Sequence, residues 1–165
     1  VWSKTVEQTV HFPYIPGFLA FRELPILLEL IAEVRRSDRL ADVALVDGNG
    51  ILHQRHAGIA SHLGIAAGLA TIGIGKSLLC GSVQNTAASA GNARPVIYQG
   101  KTVAYALQTR PTGKPIFVSP GQRVDLEFAV ELTRRLIRAH RVPEPIFYAH
   151  TISRQAIQAA IVRQS

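Results

Sequence analysis

Cysteine is nearly absent from this sequence: Cys80 is the only one in 165 residues. No disulfide can form within the chain, so its fold must rest on packing, and a reducing, cytoplasmic setting is expected. Cys80 follows Leu78-Leu79 and reads as a small buried apolar group. Acidic side chains are also scarce, 11 Asp and Glu against 18 Lys and Arg, which leaves a net charge of +7. Long hydrophobic runs are missing. The longest apolar stretch, Leu63 to Ile74, is broken by Gly64, Gly68 and Gly73 and falls short of the roughly 20 residues a bilayer-spanning helix needs. No signal-peptide pattern opens the sequence. A disulfide scaffold and a membrane-spanning helix are thereby excluded. Because 47% of residues are apolar and only 18% charged, a disordered tail is excluded as well.

The length fits one domain, residues 1–165, around one hydrophobic core. The basic surplus favours a polyanionic partner, because each neutralised phosphate releases a counterion. The basic residues are scattered (Arg35, Arg36, Arg134, Arg135, Arg138, Arg141), so solvated helix faces account for them equally well. Val1–Phe12 alternates loosely and is rich in β-branched and aromatic types, which predicts a strand. Pro13-Tyr14-Ile15-Pro16-Gly17 is a stiff loop. Apolar residues from Phe18 to Arg36 recur at helical spacing, with Leu27, Leu30, Ile31 and Val34 on one side and Pro25 expected near the first turn. Ala41–Val46 predicts a buried strand with Asp47 at its tip, followed by a polar loop over Gly48–His56. Ala57–Leu69 predicts a helix, Ala70–Ile74 a second buried strand, and Gly81–Arg94 a loop. Val96–Tyr98 and Thr102–Gln108 read as a hairpin turning at Gly100, with Ile116–Val118 as a further strand. Val124–His140 and Ser153–Arg163 predict helices, the latter with Ser153 as N-cap. Strands alternating with helices argue one α/β domain.

Two of the few acids stand in chemically suggestive places. Asp47 closes an apolar strand and is followed by Gly48-Asn49-Gly50, at the sheet end where α/β proteins hold their ligands. A carboxylate beside a dry sheet calls for a cation, and oxygen-rich sites suit Mg²⁺. A loop-starting Asp that accepts backbone hydrogen bonds is the plainer alternative. Glu23 lies early in the first helix, where the macrodipole alone would favour it. Together, two carboxylates on neighbouring elements in a basic chain suggest metal-assisted phosphodiester hydrolysis. Tyr14, between Pro13 and Pro16, is either a rigid ring able to wedge between stacked bases or a packed surface corner.

Four blocks carry a family resemblance. His11-Phe12-Pro13-Tyr14-Ile15-Pro16-Gly17-Phe18-Leu19-Ala20-Phe21-Arg22-Glu23 resembles the signature of endonuclease V. So does Val46-Asp47-Gly48-Asn49-Gly50-Ile51-Leu52-His53-Gln54-Arg55, continuing through Gly58-Ile59-Ala60-Ser61-His62-Leu63-Gly64. Thr71-Ile72-Gly73-Ile74-Gly75-Lys76 and Arg141-Val142-Pro143-Glu144-Pro145 follow in the family's order, so that the likeness runs from about residue 5 to residue 155.

The resemblance implies a ribonuclease H-like fold, a mixed central sheet flanked by helices. It implies a metal-dependent endonuclease that recognises inosine and other deaminated purines and cuts the backbone on the lesion's 3′ side, with Mg²⁺ as cofactor and Mn²⁺ as substitute. Glu23 and Asp47 match metal-binding carboxylates, Lys76 a lysine near the scissile phosphate, and His150 a position completing the acidic cluster. Tyr14, held by Pro13, Ile15 and Pro16, matches the wedge that fills the gap when the lesion flips out. Backbone near Gly17 and Gly48 would line the base pocket, with His53 beside it. DNA and RNA both remain open as substrate, since no residue signals contacts to the 2′-hydroxyl.

The chain departs from the family pattern at Asn49, commonly His, and at Gln54, commonly Pro. The family also carries two further N-terminal strands, the first with another metal-binding aspartate, for which these 165 residues offer no counterpart. The chain is therefore expected to be N-terminally incomplete relative to the family, with an exposed apolar sheet edge. An inosine-binding module that no longer cleaves is the alternative reading.

Overall fold

The computed structural model describes residues 2–10, 12–13, 15, 18–84 and 93–164, with no side chain described for residues 19, 163 and 164. The chain order is α1 (Leu19–Arg36), β1 (Val43–Asp47), α2 (Ile59–Ala67), β2 (Ala70–Gly75), β3 (Ser82–Val83), β4 (Ala93–Tyr98), β5 (Lys101–Leu107), β6 (Ile116–Gln122), α3 (Leu126–Arg135) and α4 (Glu144–Gln164). One mixed sheet has the order β1-β2-β6-β5-β4-β3. β1 and β2 are parallel, joined through α2, and every other pairing is antiparallel. β1 forms one edge and has no strand on its outer side among the described residues. This is the mixed α/β arrangement expected from the sequence.

Helices cover both faces of the sheet, and the period-two alternation of the strands explains why. Ile72 and Ile74 on β2 join Ile116 and Val118 on β6 in a cluster closed by Ala129 and Val130 of α3 and Ile146 of α4. On the opposite face, Val46, Ile59, Ala60, Leu63, Ala67 and Leu69 meet Leu24, Leu27, Leu28 and Ile31 of α1. Thr71, between the two, points to α2 and donates its hydroxyl to the Ala60 carbonyl at 2.8 Å. Ile72, Ile74, Ile116 and Val118 have no exposed surface, so each contributes about 1.5–3 kcal/mol.

The loop after β1 lies flat across the sheet end, which only glycine permits. A Cβ on Gly50 would stand 1.9 Å from the Pro120 carbonyl oxygen, and one on Gly73 would stand 2.3 Å from the Gly50 nitrogen. With both side chains absent, Gly50 N–H donates to Ser119 Oγ at 2.9 Å and Ile51 N–H to Pro120 O at 2.8 Å.

Several elements differ from expectation. The described residues within Val1–Phe12 form no strand: they have no neighbouring strand to pair with, and Trp2 and Val10 stay exposed. Pro25 sits inside α1 rather than at its first turn, because the helix already begins at Leu19. The Gly81–Arg94 loop contains β3, paired with Val96 and Ile97, and the start of β4, while residues 85–92 lie outside the described residues. The Val124–His140 segment is helical only over α3, where Asp125 caps the Phe128 N–H at 2.7 Å. Ser153 is no N-cap. It lies within α4, which begins at Glu144, and its hydroxyl bonds back to the His150 carbonyl at 2.9 Å. Cys80 is half-buried against the cluster that holds Leu52, Val96 and Val103 rather than fully enclosed. The hairpin does turn at Gln99-Gly100, both with positive φ (50° and 74°), the geometry that matches strand twist.

Candidate functional site

β1 and β2 run parallel, so their carboxyl ends emerge side by side. Asp47 ends β1, opposite Ile74, and Lys76 follows the last residue of β2. The two side chains meet there, with Lys76 Nζ 2.5 Å from Asp47 Oδ2. Both are partly open to solvent.

Glu23 approaches from the second turn of α1, which packs against α2 through Leu24 and Leu27. Half-burial pushes its carboxyl above the ordinary range, the negative charge of Asp47 adds to this, and Arg22 opposes it. The influence of Asp47 shows that the two carboxylates share one electrostatic neighbourhood. Such a pair repels unless a cation stands between or beside it.

The loop from Gly48 to Gly58 forms the third wall. Gly48 N–H donates to Ile74 O at 3.2 Å, and Asn49 lies over Gly75, where a Cβ would come within 2.4 Å of Asn49 Oδ1. That oxygen is buried and has no hydrogen-bond partner among the described residues. His53 accepts the Arg55 N–H at Nδ1, 3.2 Å away, which leaves the proton of the neutral ring on Nε2. Burial, with Arg55 and His62 nearby, holds the His53 ring below its usual range and so neutral at pH 7. His53 is therefore set up to offer a ring N–H.

At the start of α1 lies an aromatic group that the sequence reading does not single out. The Phe21 ring stands 5.8 Å from Phe18, 6.4 Å from Phe12 and 6.0 Å from His62. The Arg55 guanidinium lies 4.7 Å over the Phe18 ring, and Arg22 donates to the Phe12 carbonyl at 2.8 Å. The i, i+3 spacing of Phe18 and Phe21 was the available signal, since it puts two rings on one face of a helix. Exposed aromatics interleaved with arginines suit stacked bases and phosphates.

The structure thus brings Glu23, Asp47 and Lys76 to one sheet end with Gly48 next to Asp47, while His53 stands further along the same loop beside Arg55 and His62. Pro13 and Ile15 are exposed just before α1, where the Ile15 carbonyl accepts the Phe18 N–H at 3.0 Å. Tyr14, Pro16 and Gly17 lie outside the described residues. His150 is exposed on α4, and it does not join Glu23 and Asp47: among the described residues no three His, Cys, Asp or Glu side chains gather as a metal-holding group.

Two carboxylates are nevertheless enough for a hard divalent ion that keeps several waters and shares the substrate's phosphate oxygens. The repulsion felt by Glu23 is the feature such an ion would relieve. Glu23 and Asp47 fit that role.

The endonuclease V family model matches residues 1–151. The endonuclease V of Gloeobacter violaceus is 42% identical over 151 residues, covering 91% of this chain and 60% of that protein. That of Xanthomonas axonopodis pv. citri is 43% identical over 133 residues, covering 81% and 55%. The chain therefore spans a little over half the length of these curated relatives. Human endonuclease V superposes with a TM-score of 0.83 at 37% identity, covering 92% of this chain and 69% of the human one. The Ciona intestinalis enzyme, solved with DNA containing an inosine, superposes at 0.85 with 30% identity, covering 97% and 73%. Among the described residues no helix is long and apolar enough to cross a membrane. Its α/β fold is the ribonuclease H-like one, and the chain belongs to the endonuclease V family.

Proposed function

We propose that this protein is a metal-dependent endonuclease acting in nucleic-acid repair, which recognises inosine and other deaminated purines and cuts the backbone on the 3′ side of the lesion. The observation that carries this reading is the Glu23–Asp47 carboxylate pair beside Lys76, at the strand ends of a basic chain. The inosine-containing DNA bound by the Ciona relative supports the choice of substrate.

Glu23 and Asp47 hold the divalent ion, Mg²⁺ with Mn²⁺ as substitute. Once bound, the ion polarises a phosphoryl oxygen and lowers the pKa of water. Lys76 is a compact point charge that can exchange its contact with Asp47 for one with the scissile phosphate. His53 offers its Nε2 proton to an acceptor on the base or backbone. Tyr14, held by Pro13, Ile15 and Pro16, fills the stack after the lesion flips out, and backbone at Gly17 and Gly48 lines the pocket. His150, exposed on α4 and apart from the two carboxylates, is assigned to the rim, where it meets the nucleic acid. The unpaired Cys80 supports a cytoplasmic setting.

The test is nicking of matched duplexes carrying inosine or adenine, with Mg²⁺, Mn²⁺ or EDTA, and with the cut mapped at single-nucleotide resolution. Metal-dependent cutting 3′ to inosine alone supports the reading, and inosine-specific binding without any cut replaces it with that of a binding module. Tyr14→Ala should reduce the inosine-to-adenine preference more than non-specific binding, since only the flipped state incurs the unstacking cost. An unchanged preference would return Tyr14 to a surface corner.

A further inference from the structure

Arg141 lies in the segment between α3 and α4, more than 60 residues from Lys76 in sequence, yet it reaches the carboxyl end of β2. The β2–β6 ladder ends at Gly75 opposite Phe117. Just beyond that point the Arg141 guanidinium takes over. Its Nη2 donates to the Lys76 carbonyl at 2.9 Å and to the Pro115 carbonyl at 3.0 Å, while its Nε donates to the Lys114 carbonyl at 2.9 Å. The Arg141 backbone is itself anchored, because its carbonyl accepts the Thr109 hydroxyl at 2.7 Å. One planar fork therefore fastens together the chain leaving β2 and the chain entering β6.

We propose that Arg141 is a positioning residue whose role is to fix the Lys76 backbone, so that the ammonium is aimed at Asp47 and at the phosphate brought there. The proposal rests on the nuclease reading above. Lys76 is the first residue past its strand, so no further ladder bond to β6 holds it. Charge-assisted bonds to main-chain carbonyls are directional, and a guanidinium can serve several at once where an ammonium cannot match the planar arrangement. With Nε and Nη2 committed to carbonyls, the guanidinium is anchored to main chain, and so its loss should alter turnover more than substrate affinity.

The test is a double-mutant cycle read on single-turnover nicking of an inosine duplex. Arg141→Gln should lower the rate about a hundredfold with KM unchanged, the scale expected when a reacting group is misplaced by ~1 Å. Placed on a Lys76→Ala background, Arg141→Gln should cause no further loss. An equal loss on that background would overturn the proposal, because Arg141 would then act independently of Lys76. A second readout needs no activity: NMR relaxation of the Lys76 side chain should report greater motion in Arg141→Gln, with Lys101 as the unaffected reference. Unchanged Lys76 relaxation would also overturn it. If the parent protein nicks no inosine duplex, the nuclease reading fails while the relaxation comparison still decides the positioning claim. Should Arg141→Gln not fold, Arg141→Lys keeps the charge without the fork and is read in the same way.

Discussion

Lys76 and Asp47 form an ion pair across the neighbouring carboxyl ends of two parallel strands, with 2.5 Å between Nζ and Oδ2. Their side chains remain 41% and 43% exposed, so solvent screens the pair and it adds little stability. What the pair does is hold a mobile positive charge beside a carboxylate that is itself available to a second cation. Glu23 stands in the same electrostatic neighbourhood, its carboxyl raised first by burial and then by Asp47, with Arg22 opposing.

The raised Glu23 carboxyl makes a thermodynamic prediction. A carboxyl whose folded-state pKa lies above its unfolded value binds more protons when folded. Stability is then lost as pH rises above the ordinary carboxyl value of 4.5 and through the raised folded one. Glu23→Gln should therefore raise the metal-free Tm at pH 7 and leave it unchanged below pH 4, while nicking is lost. A lower Tm at pH 7 in EDTA would show that the Glu23 carboxylate is stabilised rather than strained.

His53 works in the opposite sense. Its ring is held below the ordinary value of 6.5, first by burial and then by Arg55 and His62. The neutral ring contributes stability above pH 6.5 that is lost as pH falls through the depressed folded value. Nitrogen-15 NMR of the imidazole should show the Nε2–H tautomer at pH 7 and a titration midpoint below 6.5. A midpoint above 6.5, or a proton on Nδ1, would contradict the Arg55 N–H to Nδ1 hydrogen bond.

The glycines of the loop separate steric need from backbone strain. Gly50→Ala would place a methyl 1.9 Å from the Pro120 carbonyl, and no flexible side chain can yield there. The loop must lift, at a cost of about 1–3 kcal/mol or more and a Tm drop of roughly 4–10 °C. Gly68→Ala meets no atom within 4 Å and bears only the strain of φ +66°, about 1 kcal/mol. Equal Tm values for the two variants would show that the loop does not press on the sheet.

Legibility followed the range of the interactions. β1, β2 and the hairpin could be read because their apolar runs and turn residues are local signals, and Asp47 could be placed at a strand tip for the same reason. The described residues within Val1–Phe12 show the limit: their strand-like composition meets no partner strand among the described residues. Ser153 reads as a helix start because serine is a favoured N-cap, yet α4 begins already at Glu144, whose carboxylate accepts the Ala139 and His140 N–H groups. Glu23 and Lys76 looked ordinary in local sequence and gained meaning through the family likeness and then through their neighbours. Arg141 was legible only as the first residue of the fourth family block; what it holds was not, because its partners lie 26 to 65 residues away.

The central claim is that Asp47 serves the cleavage step and does not bind the base. The most direct measurement is single-turnover nicking of an inosine duplex by the Asp47→Asn variant in Mg²⁺, alongside duplex affinity by mobility shift. Removing one of two carboxylates from a hard-cation site should abolish cutting, while inosine-specific affinity stays the same or rises as negative charge near the phosphate is removed. Cutting at the parental rate, or loss of affinity in step with loss of cutting, would contradict the account.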